Sequence, residues 1–166
     1  MEEPEQFIRE ELGHRFTIKE KSIGSPTQYL GKKVSQVELS NGVKCWSFSS
    51  SQYVQATCKN VDDHLKRMGL RPLNTPTKSP WSSNYHPEAD VTPELSPVNA
   101  SYYQFLIGIL RWIVKLGRGY IAIEVSAMAS MMALPREGHL QAVYRIFAFL
   151  KTKHNGVQFL IHQNRT

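Results

Sequence analysis

Asp62 and Asp63 are adjacent carboxylates, and their residue type and spacing could support metal chemistry. Paired aspartates after an apolar residue can hold two Mg²⁺ ions for in-line phosphoryl transfer. That geometry requires the pair to lie at the tip of a hairpin between two apolar strands. Here Val61 and Leu65 continue a helical apolar stripe, and basic residues follow. The pattern therefore predicts a helix with Asp62 and Asp63 on its solvated face, rather than a metal centre.

Other reactive side chains form no recognisable catalytic or metal-binding motif in the sequence. Cys45 and Cys58 are separated by thirteen positions, which fits neither a zinc site nor a disulfide framework and predicts two reduced, partly buried thiols. The histidines are scattered, and His139 near Glu137 is expected to be a partly buried polar residue. No glycine-rich phosphate loop or Ser/His/Asp set is present. We therefore predict no catalytic residue and no metal ligand in this chain.

The charge is positive and unevenly distributed. The formal net charge is +6, with six acidic and four basic residues in 1–21 against eight acidic and sixteen basic residues in 22–166. Such an excess is compatible with a polyanionic partner such as nucleic acid.

The segment 101–114 is too short to span a bilayer, which needs about 20 apolar residues, and Gln104 and Arg111 interrupt it. An intracellular protein, cytoplasmic or nuclear, with no membrane partner is expected.

Three helices are predicted between residues 99 and 151. The first covers about 101–114, the second follows Gly119 and ends at Pro135, and the third ends near Gly156. Their apolar stripes follow the 3.6-residue period of an α-helix. These are Tyr102, Phe105, Leu106, Ile109, Leu110 and Ile113; then Ile121, Val125, Met128 and Met132; and finally Leu140, Val143, Tyr144, Phe147 and Leu150. The short links favour a compact three-helix unit.

The first half of the chain predicts both strands and helices. A helix is expected over 2–12, a half-buried strand over 16–19, and a β-hairpin over about 29–48. Its turn is Ser40-Asn41-Gly42, where Asn-Gly tolerates positive φ at both positions. A helix over 51–68 follows, and then a proline-rich loop over 71–98 in which Trp81 and Tyr85 are expected to dock on the surface. With a last strand at 157–161, the fold class is α+β.

Five segments in order give a family resemblance that covers roughly residues 5–160. They are 23–31 (IGSPTQYLG), 49–53 (SSSQY), 75–76 (TP), 101–112 (SYYQFLIGILRW), and 136–140 (REGHL) with 148–151 (AFLK). Each is weak alone, but together they resemble the polyprotein of copia-type retrotransposons. The similarity is to the reverse transcriptase part downstream of the catalytic hairpin.

This resemblance implies a fragment without an active site. The paired catalytic aspartates of that family lie upstream of the segment matching Glu5–Phe16, and its ribonuclease H domain follows the segment matching Val157–Ile161. The implied organisation is a palm remnant with a primer-grip-like hairpin (1–48), a helix (49–70), a proline-rich loop (71–98), and a three-helix thumb or connection-like unit with a terminal strand (99–166). Mg²⁺ is expected for the complete polymerase and no cofactor for this chain.

The resemblance also suggests which residues contact nucleic acid. Tyr29, Leu30 and Gly31 match the primer grip, where glycine would allow close approach of a phosphate. Lys32 and Lys33 could bind phosphates, and one helix flank is expected to present further backbone contacts: Arg111, Lys115 and Arg118. The alternatives are that Tyr29 and Leu30 are hairpin core and that the helix flank is only a solvated face.

The implied function is that of a fragment of an RNA-directed DNA polymerase that positions the template–primer duplex and is inactive alone. Its partners would be an RNA/DNA duplex, the remaining palm and fingers, and the ribonuclease H segment. The alternative is a non-enzymatic module for nucleic-acid binding or protein interaction, left from a decayed retroelement.

Overall fold

The structure is a computed structural model that describes residues 10–17, 24–73 and 76–160. Within these ranges a four-stranded antiparallel sheet accompanies a set of helices, which confirms the α+β class. The strands are β1 (Gln28–Tyr29), β2 (Lys32–Glu38), β3 (Lys44–Ser49) and β4 (Val157–Leu160). The main helices are α1 (Ser51–Arg67), α2 (Pro97–Lys115), α3 (Ala122–Ser130) and α4 (Glu137–Thr152), with 3₁₀ turns at Pro87–Ala89 and Gly119–Ile121.

Two tight turns shape the sheet, whose strand order is β1-β2-β3-β4. Leu30 and Gly31 join β1 to β2 with φ of 48° and 82°, the conformation of a two-residue type I′ hairpin turn. The β2–β3 loop differs from the prediction, because Gly42 has positive φ but Asn41 does not. A three-residue loop (40–42) is closed by a 2.9 Å bond from the Leu39 N–H to the Val43 carbonyl, and the Gly42 N–H donates to the Leu39 carbonyl at 2.8 Å.

The terminal strand β4 pairs antiparallel with β3, in the register Ser49↔Val157 to Trp46↔Leu160. We predicted this strand as the end of the three-helix unit. It instead completes the sheet of the N-terminal hairpin, because the open edge of β3 offers backbone hydrogen bonds that a lone strand lacks. The first and last parts of the described chain therefore share one sheet.

The helices enclose one hydrophobic core, and most of the predicted stripes face it. Val54, Cys58, Val61 and Leu65 of α1 are buried, as are all five predicted positions of α4. The prediction for α2 was wrong at Phe105, which is 62% exposed. Leu106, Leu110 and Ile113 of the predicted stripe are buried. Tyr103 and Ile107 beside the stripe are buried as well, because α3 and α4 both pack against this helix.

The part of the proline-rich loop around Trp81 and Tyr85 lies against the helices, as predicted. Trp81 and Tyr85 pack on the core, the Trp81 indole donates to the Tyr85 carbonyl at 3.0 Å, and the Tyr85 hydroxyl donates to Asp90 at 2.8 Å. Helix α2 begins at Pro97, earlier than expected. Proline suits the first turn, and the Ser96 hydroxyl accepts from the backbone N–H of Asn99.

Predictions near the N-terminus are only partly covered. Residues 10–13 are helical, whereas 2–9 of the predicted first helix lie outside the described residues. Phe16 and Thr17 of the strand predicted over 16–19 are not in a strand, and positions 18 and 19 lie outside the described residues. Among the described helices, none combines the length and apolar character required to cross a bilayer.

Candidate nucleic-acid interface

The β1–β2 turn presents two large side chains to solvent. Tyr29 is 60% exposed and Leu30 58% exposed, so the alternative that they form hairpin core is wrong. Gly31 has φ +82°, and a Cβ there would lie 3.9 Å from the ring of Tyr53, an ordinary contact. Glycine is therefore favoured at this position by backbone conformation rather than by lack of space.

Lys32 and Lys33 follow this turn and point to opposite faces of the sheet, because side chains alternate along a strand. The Lys32 ammonium donates to Oε1 of Gln158 at 3.3 Å and lies 5.9 Å from the ring centroid of Phe48. Both contacts restrict its rotamers. Lys33 is exposed, and its side chain makes no hydrogen bond or ion pair with any residue in the described ranges.

The flank of α2 adds two exposed cations, Arg111 and Lys115, one helical turn apart. They line a cavity of about 220 Å³ between α2 and α3. Just beyond the helix, the Gln158 amide donates to the Gly117 carbonyl at 3.5 Å. Because the same amide accepts from Lys32, it links the start of β2 to the helix end that carries Lys115.

Gln158 is the residue at this surface that our reading of the sequence missed. It lies between Val157 and Phe159 in a short apolar strand, and an isolated polar residue there is the signal that could have identified it. Gly117 has φ +101°, and a Cβ on it would overlap the Gln158 side chain. The close passage of the amide therefore depends on glycine at position 117.

Arg118 does not share the exposed flank, and the prediction that it contacts nucleic acid there is wrong. Helix α2 ends at Lys115, and Arg118 is only 2% exposed. Its guanidinium donates to Ser50 Oγ at 3.1 Å and to the carbonyls of Lys153 and His154 beyond α4. These acceptors occupy the guanidinium N–H groups that a phosphate would require. The same hydrogen bonds connect the start of α1 to the end of α4.

Gly156 makes room for this arginine. A Cβ at position 156 would overlap the guanidinium of Arg118. Near the predicted C-terminal stop, Gly156 thus has a packing role, whereas it does not adopt the positive φ of a glycine helix cap. The burial of Arg118 could not be read from its neighbours in sequence, because every acceptor except the Tyr120 hydroxyl is distant along the chain.

The adjacent aspartates lie on α1, as predicted, but only one of them is solvated. The Asp62 side chain is 12% exposed, accepts from the Leu73 N–H at 2.9 Å and pairs with Lys151 at 2.6 Å. Its predicted outward position is wrong, because this carboxylate ties the loop after α1 to α4. Asp63 is half-exposed, 3.9 Å from Lys66. Across the residues that the structure describes, no cluster of three or more potential ligands could hold a metal ion.

The remaining reactive groups are held in structural roles. Burial, and then the nearby Asp62 carboxylate, raise the pKa of the Cys58 thiol to about 12, which keeps it protonated and unreactive at neutral pH. His139 is fully buried, deeper than predicted. Its Nδ1 accepts from the Arg136 N–H at 3.0 Å, so Nε2 carries the proton and donates to the Pro87 carbonyl at 3.0 Å.

The turn, the two lysines on opposite faces of β2 and the α2 flank together form a region with apolar side chains at its tip. Its cations are of the type that makes salt-sensitive phosphate contacts. We call it the hairpin–α2 surface: Tyr29, Leu30, Gly31, Lys32, Lys33, Arg111 and Lys115. It contains no group that could act as a nucleophile or general base at neutral pH. No protein-family model, curated protein or solved structure matches this chain.

Proposed function

We propose that this chain holds a nucleic-acid duplex. It would be the primer-positioning part of a copia-type retrotransposon reverse transcriptase, and this part lacks the catalytic aspartates. The observation that carries the proposal is the link made by Gln158 between Lys32 and the end of α2. This link brings the start of β2 close to the end of α2, and the family resemblance assigns nucleic-acid contacts to both regions.

Each part of the hairpin–α2 surface would have a distinct role on a duplex. The exposed side chains of Tyr29 and Leu30 would pack against the sugar and base at the primer end. Lys32 and Lys33 would contact phosphates beside them, and Arg111 and Lys115 would contact the backbone further along. Such contacts fix register without reading sequence.

Positioning is the whole contribution that we assign to this chain. In the complete polymerase, Mg²⁺ bound by upstream carboxylates would activate the primer hydroxyl and stabilise the charge of the transferred phosphoryl group. Holding the primer end in a fixed place lowers the entropic part of the barrier to that reaction. This role supports no turnover without the missing segments.

Anisotropy of a labelled RNA–DNA hybrid tests the proposal directly. If binding depends on four phosphate contacts, its affinity should fall by about a hundredfold when the salt concentration is raised from roughly 50 to 200 mM. Replacing Lys32, Lys33, Arg111 and Lys115 together by alanine should abolish this binding. A matched variant removes four exposed cations elsewhere and should bind normally: Lys44, Lys59, Lys78 and Arg145 to alanine. Equal loss of hybrid binding in both variants would show that binding depends on net charge rather than on the hairpin–α2 surface.

A second candidate is a protein-interaction module, and one observation favours it. Val98, Phe105 and Trp112 recur every seven residues along α2 and are 77%, 62% and 37% exposed. An exposed apolar stripe of this kind is typical of a surface that another protein covers. The same stripe would serve the first candidate if polymerase palm or fingers pack there. A reading frame that continues upstream into a Tyr-x-Asp-Asp hairpin would favour the polymerase.

A further inference from the structure

A groove follows the exposed side of α4. Two cavities of about 400 and 470 Å³ adjoin there, and both are lined by Gln141 and Arg145. Leu65, Leu73 and Arg71 help to line the first cavity, whereas Trp81, Tyr85 and Ala142 help to line the second. We call this feature the α4 groove. It shares no residue with the hairpin–α2 surface.

The side chains that line the α4 groove carry positive charge and no negative charge. The Asp90 carboxylate lies beside Gly138, but it already accepts hydrogen bonds from Tyr85 and Thr92. Among the described residues, no aspartate or glutamate lines either cavity. Arg71 and Arg145 are both exposed, and neither side chain forms a hydrogen bond or an ion pair with a described residue. In contrast, Arg118 and Arg136 are engaged by protein groups. An anionic ligand would therefore find two free guanidinium groups here, the side chain best suited to bidentate carboxylate binding.

Apolar walls lie on both sides of Arg145. In the second cavity Trp81 has already donated its indole N–H to the Tyr85 carbonyl, so the rest of its ring surface is available only for apolar contact. In the first cavity Leu65 and Leu73 form the floor, and Leu70 at its edge is 51% exposed. A ligand that fills both cavities must therefore carry apolar groups on either side of its anionic group.

The spacing along α4 sets the size of that ligand. Gly138, Gln141, Arg145 and Ala148 lie on one helix face, and the ten steps from first to last rise about 15 Å. An extended peptide of about five residues has the same length, and its alternate side chains are about 7 Å apart. Because Arg145 lines both cavities, it would face the central side chain, and the cavities would receive the side chains two residues before and after it.

We propose that the α4 groove binds an extended segment of a partner protein in which an aspartate or glutamate faces Arg145 and large apolar side chains enter the two cavities. Gln141 can both donate to and accept from the backbone of such a peptide. A nucleic-acid strand fits less well, because it requires cations that follow its backbone continuously. Here apolar cavities separate the two arginines.

A symmetric probe tests this proposal without assuming a chain direction. It is a fluorescein-labelled pentapeptide of phenylalanine, serine, glutamate, serine and phenylalanine, measured by anisotropy against the full chain. The peptide should bind saturably. Glutamine in place of its glutamate, or the substitution Arg145→Ala in the protein, should each weaken binding about tenfold or more. Loss of the charge on either partner should have a similar effect, because both changes remove the same ion pair.

Arg111→Ala is the matched control, because it removes the same charge from the hairpin–α2 surface. It should leave peptide binding unchanged and weaken binding of the RNA–DNA hybrid, whereas Arg145→Ala should do the reverse. Both arginines are exposed, and unchanged thermal midpoints would confirm that both variants are folded. Equal affinity for the glutamate and glutamine peptides, absence of saturable binding, or displacement of the peptide by a single-stranded thymidine oligonucleotide at matched ionic strength would overturn the proposal.

Discussion

Lys32 and Gln158 are 126 positions apart in the chain, yet the Lys32 ammonium lies 3.3 Å from Oε1 of Gln158. The amide therefore holds one cation of the hairpin–α2 surface close to the end of α2. We expect Lys32→Ala to reduce the salt slope of duplex binding by about one unit. Gln158→Ala should weaken binding by about two- to threefold, because the ammonium remains but loses its orientation.

Anisotropy with the RNA–DNA hybrid at several salt concentrations measures both effects. The matched control is Gln36→Ala, which truncates an exposed glutamine on β2 away from this contact. An unchanged slope for Lys32→Ala would mean that this lysine does not contact a phosphate.

The chain alone should not extend a primer with Mg²⁺ or Mn²⁺. The adjacent aspartates cannot act as a metal pair, because Asp62 is already bound by Lys151 and by the Leu73 N–H. A gel assay with a labelled primer on an RNA template measures extension. Nucleotide incorporation above a no-protein control would contradict the expectation.

The two adjacent aspartates should differ sharply in their contribution to stability. Asp62→Ala leaves the Leu73 N–H and the Lys151 ammonium without their acceptor, and should lower the free energy of unfolding by about 3 kcal/mol. Asp63→Ala removes only an exposed pair and should cost less than about 0.5 kcal/mol. Urea unfolding followed by circular dichroism measures both. Similar losses would show that Asp62 is not the tie between the loop and α4.

Arg118→Ala should destabilise the protein by about 3 kcal/mol, because the carbonyls of Lys153 and His154 lose a shared donor in a buried place. Arg118→Lys should recover only part of this, since an ammonium lacks the planar fork. Gly156→Ala should also destabilise, because its Cβ overlaps the guanidinium. Urea midpoints of the three variants measure these losses of stability. An Arg118→Ala protein as stable as the parent chain would show that the buried guanidinium does not stabilise the fold.

Stability should decrease with acid in a window set by His64. Burial, and then the charge of Arg67, lower the pKa of His64, whose ring stacks on Tyr102 at 3.9 Å between centroids. The unfolded chain therefore binds a proton near the ordinary pKa of about 6.5, while the folded ring stays neutral. The free energy of unfolding is therefore highest above that pH and decreases as the pH falls toward the pKa of His64 in the folded state. Below that pKa, His64 causes no further change.

Unfolding free energies measured by urea titration between about pH 7.5 and 5 follow this contribution. His64→Phe keeps a ring against Tyr102 and removes the titration, so its profile should be flatter than that of the parent chain. Parallel profiles would assign the pH dependence to other groups.

Short-range patterns predicted the elements well, and long-range contacts account for the failures. The period of α1 and α4 identified residues on their buried faces, although α4 also buries Ile146 and Ala148 outside its predicted stripe. For α2 the residues are apolar on several sides, so periodicity alone could not exclude Phe105 from the core. The burial of Asp62 and Arg118 depends on partners in distant segments, Lys151 for one and the end of α4 for the other.

At the candidate site, the turn residues and lysines could be predicted from order and chemistry, but their arrangement could not. Gln158 joins them only because β4 pairs with β3, and this pairing has no signature in the strand itself. The α4 groove was likewise invisible in the sequence. Trp81 and Arg145 border it together because the proline-rich loop folds back on α4.

The pairing of β4 with β3 has a consequence for how this chain reaches its native state. During translation, residues 44–49 emerge about a hundred residues before their partner strand. The hairpin must then wait with an unsatisfied edge while the helices are synthesised, and such an edge can recruit strands from other nascent chains. High contact order at this one ladder should make its closure a late, slow step. Yield on expression is therefore expected to depend on translation speed and temperature more than on the strength of the helical core.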